Sequence, residues 1–230
     1  MTVVLAGGSG GLGSATARIL AAEGFDLVIS YKSNRERAER LSDIGRIVQA
    51  DLSFPDDRDR LLDSAGSFYG LVIFSGAAVR MPDFETACTA SFQTNFLGPV
   101  ALAREAADRM KSAGTPGAII LISTMQAVVP FTGSTAYATQ KAALIHAGRI
   151  LAKECRAKKG IRVNVICPGV NQAGMAEASI ASGKYTKYLE NDVIPRYGRA
   201  EDVARAVRFF LERDNYITGQ VLTVDGGLTL

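Results

Sequence analysis

Hydrophobic positions follow two different periods along the chain. Short runs rich in Val, Ile and Leu alternate with longer stretches in which apolar residues recur every three or four positions. Runs of the first kind are typical of buried strands, and stretches of the second kind are typical of amphipathic helices. The pattern predicts strands at residues 2–6, 26–30, 46–50, 70–75, 117–123, 161–167 and 219–227. It predicts helices at residues 11–24, 35–41, 54–65, 83–112, 135–158 and 200–212.

The alternation of strands and helices indicates the fold class. Continuous apolar strands that are separated by helices form a parallel sheet with helices on both faces. We therefore expect an α/β protein, a single doubly wound Rossmann domain over residues 1–230 with about seven parallel strands. Residues 170–198 contain several turn-forming residues and are predicted to be an irregular, mobile loop within this domain.

Composition and charge exclude several classes of function. The 26 basic and 23 acidic residues give a net charge of +3, and the basic residues are scattered, so we expect no nucleic-acid partner. The basic cluster at residues 152–160 is interpreted as a solvated helix end. One histidine and three dispersed cysteines make no recognisable ligand set, so no metal site is expected. No apolar run is long enough for a membrane span, and we expect a cytoplasmic protein with free thiols.

A glycine-rich segment joins the first predicted strand to the first helix. Gly7, Gly11 and Gly13 form the pattern G-x-x-x-G-x-G in AGGSGGLG. Glycines let backbone N–H groups approach a phosphate, and a helix N-terminus favours negative charge. The segment can also be a plain turn, but its position favours a dinucleotide site. Asp51, at the end of the third strand, can meet the adenine or can cap the next helix.

The end of the second predicted strand indicates which dinucleotide binds. Sites for NAD usually have an acidic side chain there. Residues 30–35 read SYKSNR and contain no acid. Lys32 and Arg35 can instead face a 2′-phosphate, and Ser33 can hydrogen-bond to it. We therefore predict NADP(H), with NAD(H) as the alternative, although both cations can also be solvated residues at a helix start.

Tyr137 and Lys141 lie four residues apart on a predicted helix and therefore share a face. A free tyrosine has a pKa of about 10 and is a poor base at neutral pH. A nearby ammonium group and an oxidised nicotinamide would lower that pKa. The phenol can then exchange a proton with a substrate oxygen while hydride moves at the adjacent carbon. Taken alone, a Tyr-x-x-x-Lys pair is more often structural.

Several further motifs occur in a fixed order around this pair. Over nearly its whole length the chain resembles the short-chain dehydrogenase/reductase family, and it looks most similar to the 3-oxoacyl-[acyl-carrier-protein] reductase branch. The matching segments are AGGSGGLG, Asp51-Leu52, Asn95 in TNFLGP, YATQK, Pro168-Gly169 in VNVICPG, RYGRAEDVARAV and YITGQVLTVDGG.

The resemblance implies a role for each matching residue. Tyr137 would be the general acid/base, Lys141 would bind the nicotinamide ribose and lower the tyrosine pKa, and Asn95 would hold a water in a proton relay. A hydroxyl after the fifth strand would orient the substrate oxygen, and the family's spacing to Tyr137 favours Thr124 over Ser123. The implied cofactor-binding residues are Gly7, Ser9, Gly10, Gly11, Leu12, Gly13, Tyr31, Lys32, Ser33, Asp51, Leu52, Ser75, Gly76, Ala77, Tyr137, Lys141, Pro168, Gly169 and Val170.

Two segments depart from the family pattern. Phe74-Ser75-Gly76-Ala77 replaces Asn-Asn-Ala-Gly, with a possible slip of one residue. Ala173 stands where the family often has a Thr that bonds the nicotinamide carboxamide. The first of these departures, together with Ala6 in place of the family's usual Thr, supports an alternative function, a nucleotide-binding sensor that has kept the fold and lost the chemistry. The presence of Asn95, Tyr137 and Lys141 together favours an enzyme.

The resemblance also implies a substrate class and an assembly. We expect a small carbonyl, alcohol or acyl-thioester substrate, and a homotetramer or homodimer formed through the helices at 83–112 and 135–158. Apolar and aromatic residues in the predicted loop suggest a partly hydrophobic substrate, or they pack within the loop itself. These residues are Met175, Ile180, Tyr185, Tyr188 and Leu189.

Overall fold

A seven-stranded parallel sheet forms the centre of the computed structural model, which describes residues 1–79, 81–155 and 160–230. The strand order is β3-β2-β1-β4-β5-β6-β7, and each neighbouring pair runs parallel. The strands are β1 Thr2–Ala6, β2 Asp26–Tyr31, β3 Arg46–Gln49, β4 Gly70–Ile73, β5 Gly117–Ile122, β6 Ile161–Pro168 and β7 Val221–Val224. The predicted parallel α/β fold is confirmed.

Helices cover both faces of the sheet. They are α1 Gly11–Ala22, α2 Arg35–Glu39, α3 Pro55–Ala65, α4 Phe84–Phe92, α5 Gly98–Ala113, α6 Thr135–Cys155, α7 Glu177–Ala181, α8 Thr186–Glu190 and α9 Ala200–Leu211. One apolar core joins the sheet to α3, α5 and α6. A second core joins the opposite face to α1 and α9. Because both faces are buried, β4, β5 and β6 have no exposed positions, which explains their continuous apolar sequences.

The strand order reverses direction between β1 and β4. From β1 the chain first proceeds outward to β2 and β3, and it then returns to place β4 on the other side of β1. In open α/β sheets, ligands bind at the carboxyl ends of the strands beside such a reversal. The glycine-rich segment follows β1 and therefore lies at this position.

The predicted helix at 83–112 is interrupted. Residues Gln93–Leu97 form a π-helical turn between α4 and α5, and Asn95 lies in it. Single π-helical turns are rare and often occur at functional sites. The helix predicted at 135–158 is described as far as Cys155, so the central part of the basic cluster at 152–160 lies outside the described residues.

The prediction of an irregular segment at 170–198 is wrong in part. The segment contains a 3₁₀ turn at Gly174–Ala176 as well as α7 and α8. Its apolar side chains have a core of their own, in which Tyr185 and Ile194 pack with Met125 and Val170. This local core stabilises helices that are too short to be stable alone. In the described ranges, no helix combines the length and apolar character needed to cross a bilayer.

Candidate active site

A cleft of about 660 Å³ lies along the carboxyl edge of the sheet. The glycine loop forms one end, and the ends of β4, β5 and β6 form its floor together with the first turns of α6. Of the residues predicted to bind cofactor or to act in catalysis, those that line it are Gly7, Gly10, Gly11, Leu12, Gly13, Gly76, Thr124, Tyr137, Lys141, Pro168 and Gly169. The structure therefore brings the glycine loop and the Tyr/Lys pair into one site.

The glycine loop is closely packed and needs its glycines. Gly7 has a φ of +71°, and a Cβ on it would lie 3.0 Å from Ser75 Oγ. A Cβ on Gly13 would lie 2.6 Å from the backbone of Gly8. Gly10 provides no side-chain cap for α1, and the first turn of α1 contains no acidic residue. The N-terminus of α1 therefore presents its N–H groups to the cleft, which suits the phosphates of a dinucleotide.

Asp51 and Lys32 form an ion pair beside this loop. Lys32 Nζ lies 2.8 Å from Asp51 Oδ2, and the backbone N–H of Ser53 donates to Asp51 Oδ1 at 3.1 Å. Burial raises the pKa of Asp51, but the hydrogen bonds from Lys32 and Ser53 outweigh it and hold the pKa below its usual range. Asp51 therefore organises the turn before α3, and Lys32 is already engaged by a carboxylate.

Several predicted cofactor residues do not line the cleft. They are Ser9, Tyr31, Lys32, Ser33, Asp51, Leu52, Ser75, Ala77 and Val170. Arg35 is directed to Glu39, with Nε 3.1 Å from its carboxylate. Besides Lys141, two further cations of the described ranges line the cleft, Arg37 on α2 and Arg40 at its C-terminal cap, and sequence reasoning missed both. Their spacing of three residues, which gives them a common helix face, is the signal that could have found them.

Tyr137 and Thr124 meet at the floor of the cleft. Tyr137 lies in the first turn of α6, and Thr124 lies two residues beyond the end of β5, where it caps a short 3₁₀ turn. The Thr124 side chain lies close to the Tyr137 phenol. Burial raises the pKa of Tyr137 to about 12, and the nearby Thr124 hydroxyl opposes this only in part. The lowered pKa that the sequence led us to expect refers to the site with oxidised nicotinamide bound, and it stays a prediction.

Lys141 is buried one helical turn beyond Tyr137. Its Nζ donates to the backbone oxygens of Ile122 at 2.9 Å and Ser75 at 3.2 Å. Burial lowers its pKa to about 8, although the neighbouring Cys167 acts in the opposite direction. The lysine is therefore held by the ends of β4 and β5.

Asn95 lies on the other side of the segment that follows β4. Its Oδ1 accepts from the Ala77 N–H at 3.0 Å, and its Nδ2 donates to the Ala77 oxygen at 2.9 Å. A Cβ on Gly76 would lie 2.8 Å from Lys141 Nζ and 2.9 Å from Asn95 Oδ1. Glycine at position 76 therefore allows the lysine and the asparagine to approach each other.

Ser123 has a different environment from Thr124. It is buried, and its Oγ donates to the backbone oxygen of Lys141 at 2.9 Å. The hydroxyl of Ser123 thus ties β5 to α6, whereas the hydroxyl of Thr124 reaches the phenol.

The glycine loop and the Tyr137/Lys141 pair line one cleft, and comparison with known proteins identifies the family. A family model described as enoyl-(acyl carrier protein) reductase matches residues 6–229. The chain belongs to the short-chain dehydrogenase/reductase family. The resemblance indicated by the motifs is confirmed, and the protein is an oxidoreductase of this family.

Relatives in the family differ in their substrates. The chain is 34% identical to 3β-hydroxysteroid dehydrogenase 1 of Eggerthella lenta, covering 100% of this chain and 94% of that protein. It is 32% identical to a 3-oxoacyl-[acyl-carrier-protein] reductase of Rattus norvegicus, covering 97% and 96%. A solved 7α-hydroxysteroid dehydrogenase in complex with NADH and 7-oxo glycochenodeoxycholic acid superposes with a TM-score of 0.89 at 26% identity, covering 98% and 93%. Other solved structures with this fold contain NADP or NADPH.

The apolar side chains of segment 170–198 differ in whether they pack within the segment or line the cleft. Tyr185 is buried, and Ile180, Tyr188 and Leu189 pack around it, so most of the apolar side chains noted in the sequence serve packing. Met175 is the exception among them, since it is 56% exposed and lines the cleft. Ala173 also lines the cleft, with a methyl group in place of the family's hydroxyl.

Proposed function

We propose that the protein transfers hydride between NADP(H) and a carbonyl or secondary alcohol, with Tyr137 as the general acid/base. The observation that carries the proposal is the contact between the Tyr137 phenol and the Thr124 hydroxyl, on the floor of the cleft that the glycine loop enters. A phenol and a second hydroxyl directed at one point can both hydrogen-bond to a substrate oxygen. Lys141 and Asn95 lie directly behind them.

The residues along the cleft fit a dinucleotide. A Cβ at position 7 or 13 would crowd the loop, and the N-terminus of α1 is open toward the cleft. When bound, the nicotinamide would supply or accept the hydride. Lys141 would bind ribose hydroxyls, and Pro168 and Gly169 would contact the nicotinamide end. Asn95 would hold the backbone at Ala77 and position a water for proton transfer.

We infer a preference for NADP(H) from the cations of α2. Arg40 is paired with Glu36 at 2.7 Å, whereas Arg37 forms no ion pair with any described residue. A guanidinium group that lines the cleft and is free of carboxylates suits a 2′-phosphate. Lys32, which we expected in this role, would contribute only if it left Asp51. NAD(H) is the alternative, because a relative of the same fold is described with NADH.

The protonation of the site favours reduction of a carbonyl. With its pKa raised to about 12, Tyr137 keeps its proton at neutral pH. A protonated phenol can donate to the carbonyl oxygen as hydride reaches the adjacent carbon. The buried Lys141, with a pKa lowered to about 8, still carries its proton at pH 7 and can stabilise the phenolate that remains.

The substrate class we propose is a small carbonyl compound, including 3-oxoacyl thioesters and ring ketones. The named substrates of the relatives include both kinds. The exposed Met175 gives the cleft an apolar wall, which suits a substrate with a hydrocarbon portion. We further propose that segment 170–198 covers the substrate, and that the protein assembles as a homotetramer or homodimer. Exposed Phe92, Leu97 and Ile150 on the α4–α5 and α6 helices support such an assembly.

Tyr137→Phe tests the proposed chemistry. Oxidation of NADPH is followed with a panel of ketones, ring ketones and 3-oxoacyl thioesters, and cofactor affinity is measured separately. The variant should lower turnover on any accepted substrate by about 100- to 10,000-fold, because it removes the proton donor and keeps the ring. Its affinity for NADPH should be unchanged. Normal turnover by the variant would contradict the role of Tyr137, and NADPH binding without turnover by the unmodified protein would favour a sensor.

A further inference from the structure

Residues 173–177, here called the strap, cross the cleft and touch both of its walls. On one side, the strap lies against the glycine loop, since a Cβ on Gly11 would be 2.7 Å from the backbone nitrogen of Gly174. On the other side, the N–H of Ala78 donates to Met175 Sδ at 3.3 Å. The strap therefore lies across the region between the glycine loop and the end of β4.

A carboxylate of the strap lies close to the glycine loop. Glu177 Oε1 accepts from the N–H of Gly174 at 2.5 Å, and Gly174 is the strap residue that lies against Gly11. Glu177 also lines the cleft. Its carboxylate is thus held beside the first turn of α1.

The Glu177 carboxylate differs from the other acidic side chain of the cleft in having no cationic partner among the described residues. Of the described residues that line the cleft, two are acidic, and the other, Glu36, is paired with Arg40 at 2.7 Å. Glu177 forms no ion pair within the described ranges. The first turn of α1 has no acid of its own to complement its positive end. Glu177 is therefore placed to supply negative charge where the proposed function requires a pyrophosphate.

We propose that Glu177 competes internally with the pyrophosphate of the cofactor. Its carboxylate complements the N-terminus of α1 and holds the strap against the glycine loop, and it must be displaced when the dinucleotide binds. The competition lowers the affinity for the cofactor. This inference rests on the proposed function, because it requires that the cleft binds NADP(H).

Glu177→Gln provides a matched test. The glutamine oxygen can still accept from Gly174, so the variant removes the charge and keeps the hydrogen bond. We expect it to bind NADPH about two- to fivefold more tightly, the range given by a charge at a helix terminus. Binding of adenosine 2′-monophosphate, which lacks the pyrophosphate, should not change. The gain for NADPH should decrease as the salt concentration rises, because exposed charges are screened.

Glu190→Gln is the control, since Glu190 is an exposed acid of the same segment that does not line the cleft. It should leave both affinities unchanged. Equal or weaker NADPH binding by Glu177→Gln, an equal gain for adenosine 2′-monophosphate, or an equal gain in the control would overturn the inference. Failure of the unmodified protein to bind NADPH would instead contradict the proposed function.

Discussion

Thr124 and Ser123, the two adjacent hydroxyl residues after β5, are predicted to contribute differently to catalysis. The Thr124 hydroxyl lies close to the Tyr137 phenol, whereas the Ser123 hydroxyl donates to the backbone oxygen of Lys141. Thr124→Val keeps the shape of the side chain and removes its hydroxyl. Ser123→Ala removes the other hydroxyl at a site with 5% exposure. The two variants should therefore differ most in turnover, since each also loses one structural hydrogen bond.

The expected losses of turnover and stability follow from what each hydroxyl contacts. Loss of a donor that stabilises charge on a reacting oxygen costs about 100- to 1,000-fold in kcat. Thr124→Val should show a loss of this size. It should also lower the unfolding temperature slightly, because Thr124 Oγ1 accepts a capping hydrogen bond from the Gln126 N–H at 3.3 Å. Loss of the buried Ser123 bond costs about 1 kcal/mol of stability. For a chain of this length, that cost lowers the Tm by about 2–4 °C.

Two measurements decide between these outcomes. Turnover is measured with NADPH and the best substrate of the panel, and Tm is measured by calorimetry on the same preparations. Thr124→Ser, which keeps the hydroxyl, should restore most of the turnover. The reasoning fails if Ser123→Ala loses more turnover than Thr124→Val, because the hydroxyl facing the substrate would then belong to Ser123.

Two further predictions concern charge. Arg37→Ala should weaken NADPH binding about tenfold and leave NADH binding nearly unchanged, because we propose that this guanidinium binds the 2′-phosphate, which NADH lacks. Equal loss for both cofactors in a titration would contradict this. The kcat/KM for reduction should be constant below pH 8 and decline above it, because Lys141 loses its proton near a pKa of about 8 while Tyr137 keeps its own until about 12. A rate that rises between pH 8 and 10 would refute this assignment.

The sheet could be predicted because strands that are buried on both faces have a recognisable apolar sequence. Strands with both faces covered are continuous apolar runs, and β5 and β6 are buried at every position. The helices between them show the spacing of an amphipathic face. The π-helical turn at Gln93–Leu97 could not be predicted in this way, because one extra residue in a helical turn leaves no signal in hydrophobic spacing.

The ion pairs and pKa values of the site could not be predicted from the sequence. Lys32 was expected to face a phosphate, but Asp51, remote in sequence, comes within 2.8 Å of its Nζ through the pairing of β2 with β3. Arg37 lines the cleft because α2 turns that face inward, and a sequence shows the shared face without showing its direction. The pKa of Tyr137 depends on how deeply the phenol is buried, which only the folded chain determines.

The opposite pKa changes of Tyr137 and Lys141 have one cause. Burial favours the uncharged form of each group, and it therefore raises the pKa of the phenol and lowers that of the ammonium. To act as a base near pH 8, Tyr137 would need its pKa lowered from about 12 by interactions worth on the order of 5 kcal/mol. To act as an acid, Tyr137 needs no interaction that lowers its pKa, because the phenol is already protonated. The site as folded is therefore prepared to protonate a carbonyl oxygen, and oxidation of an alcohol requires additional positive charge beside the phenol.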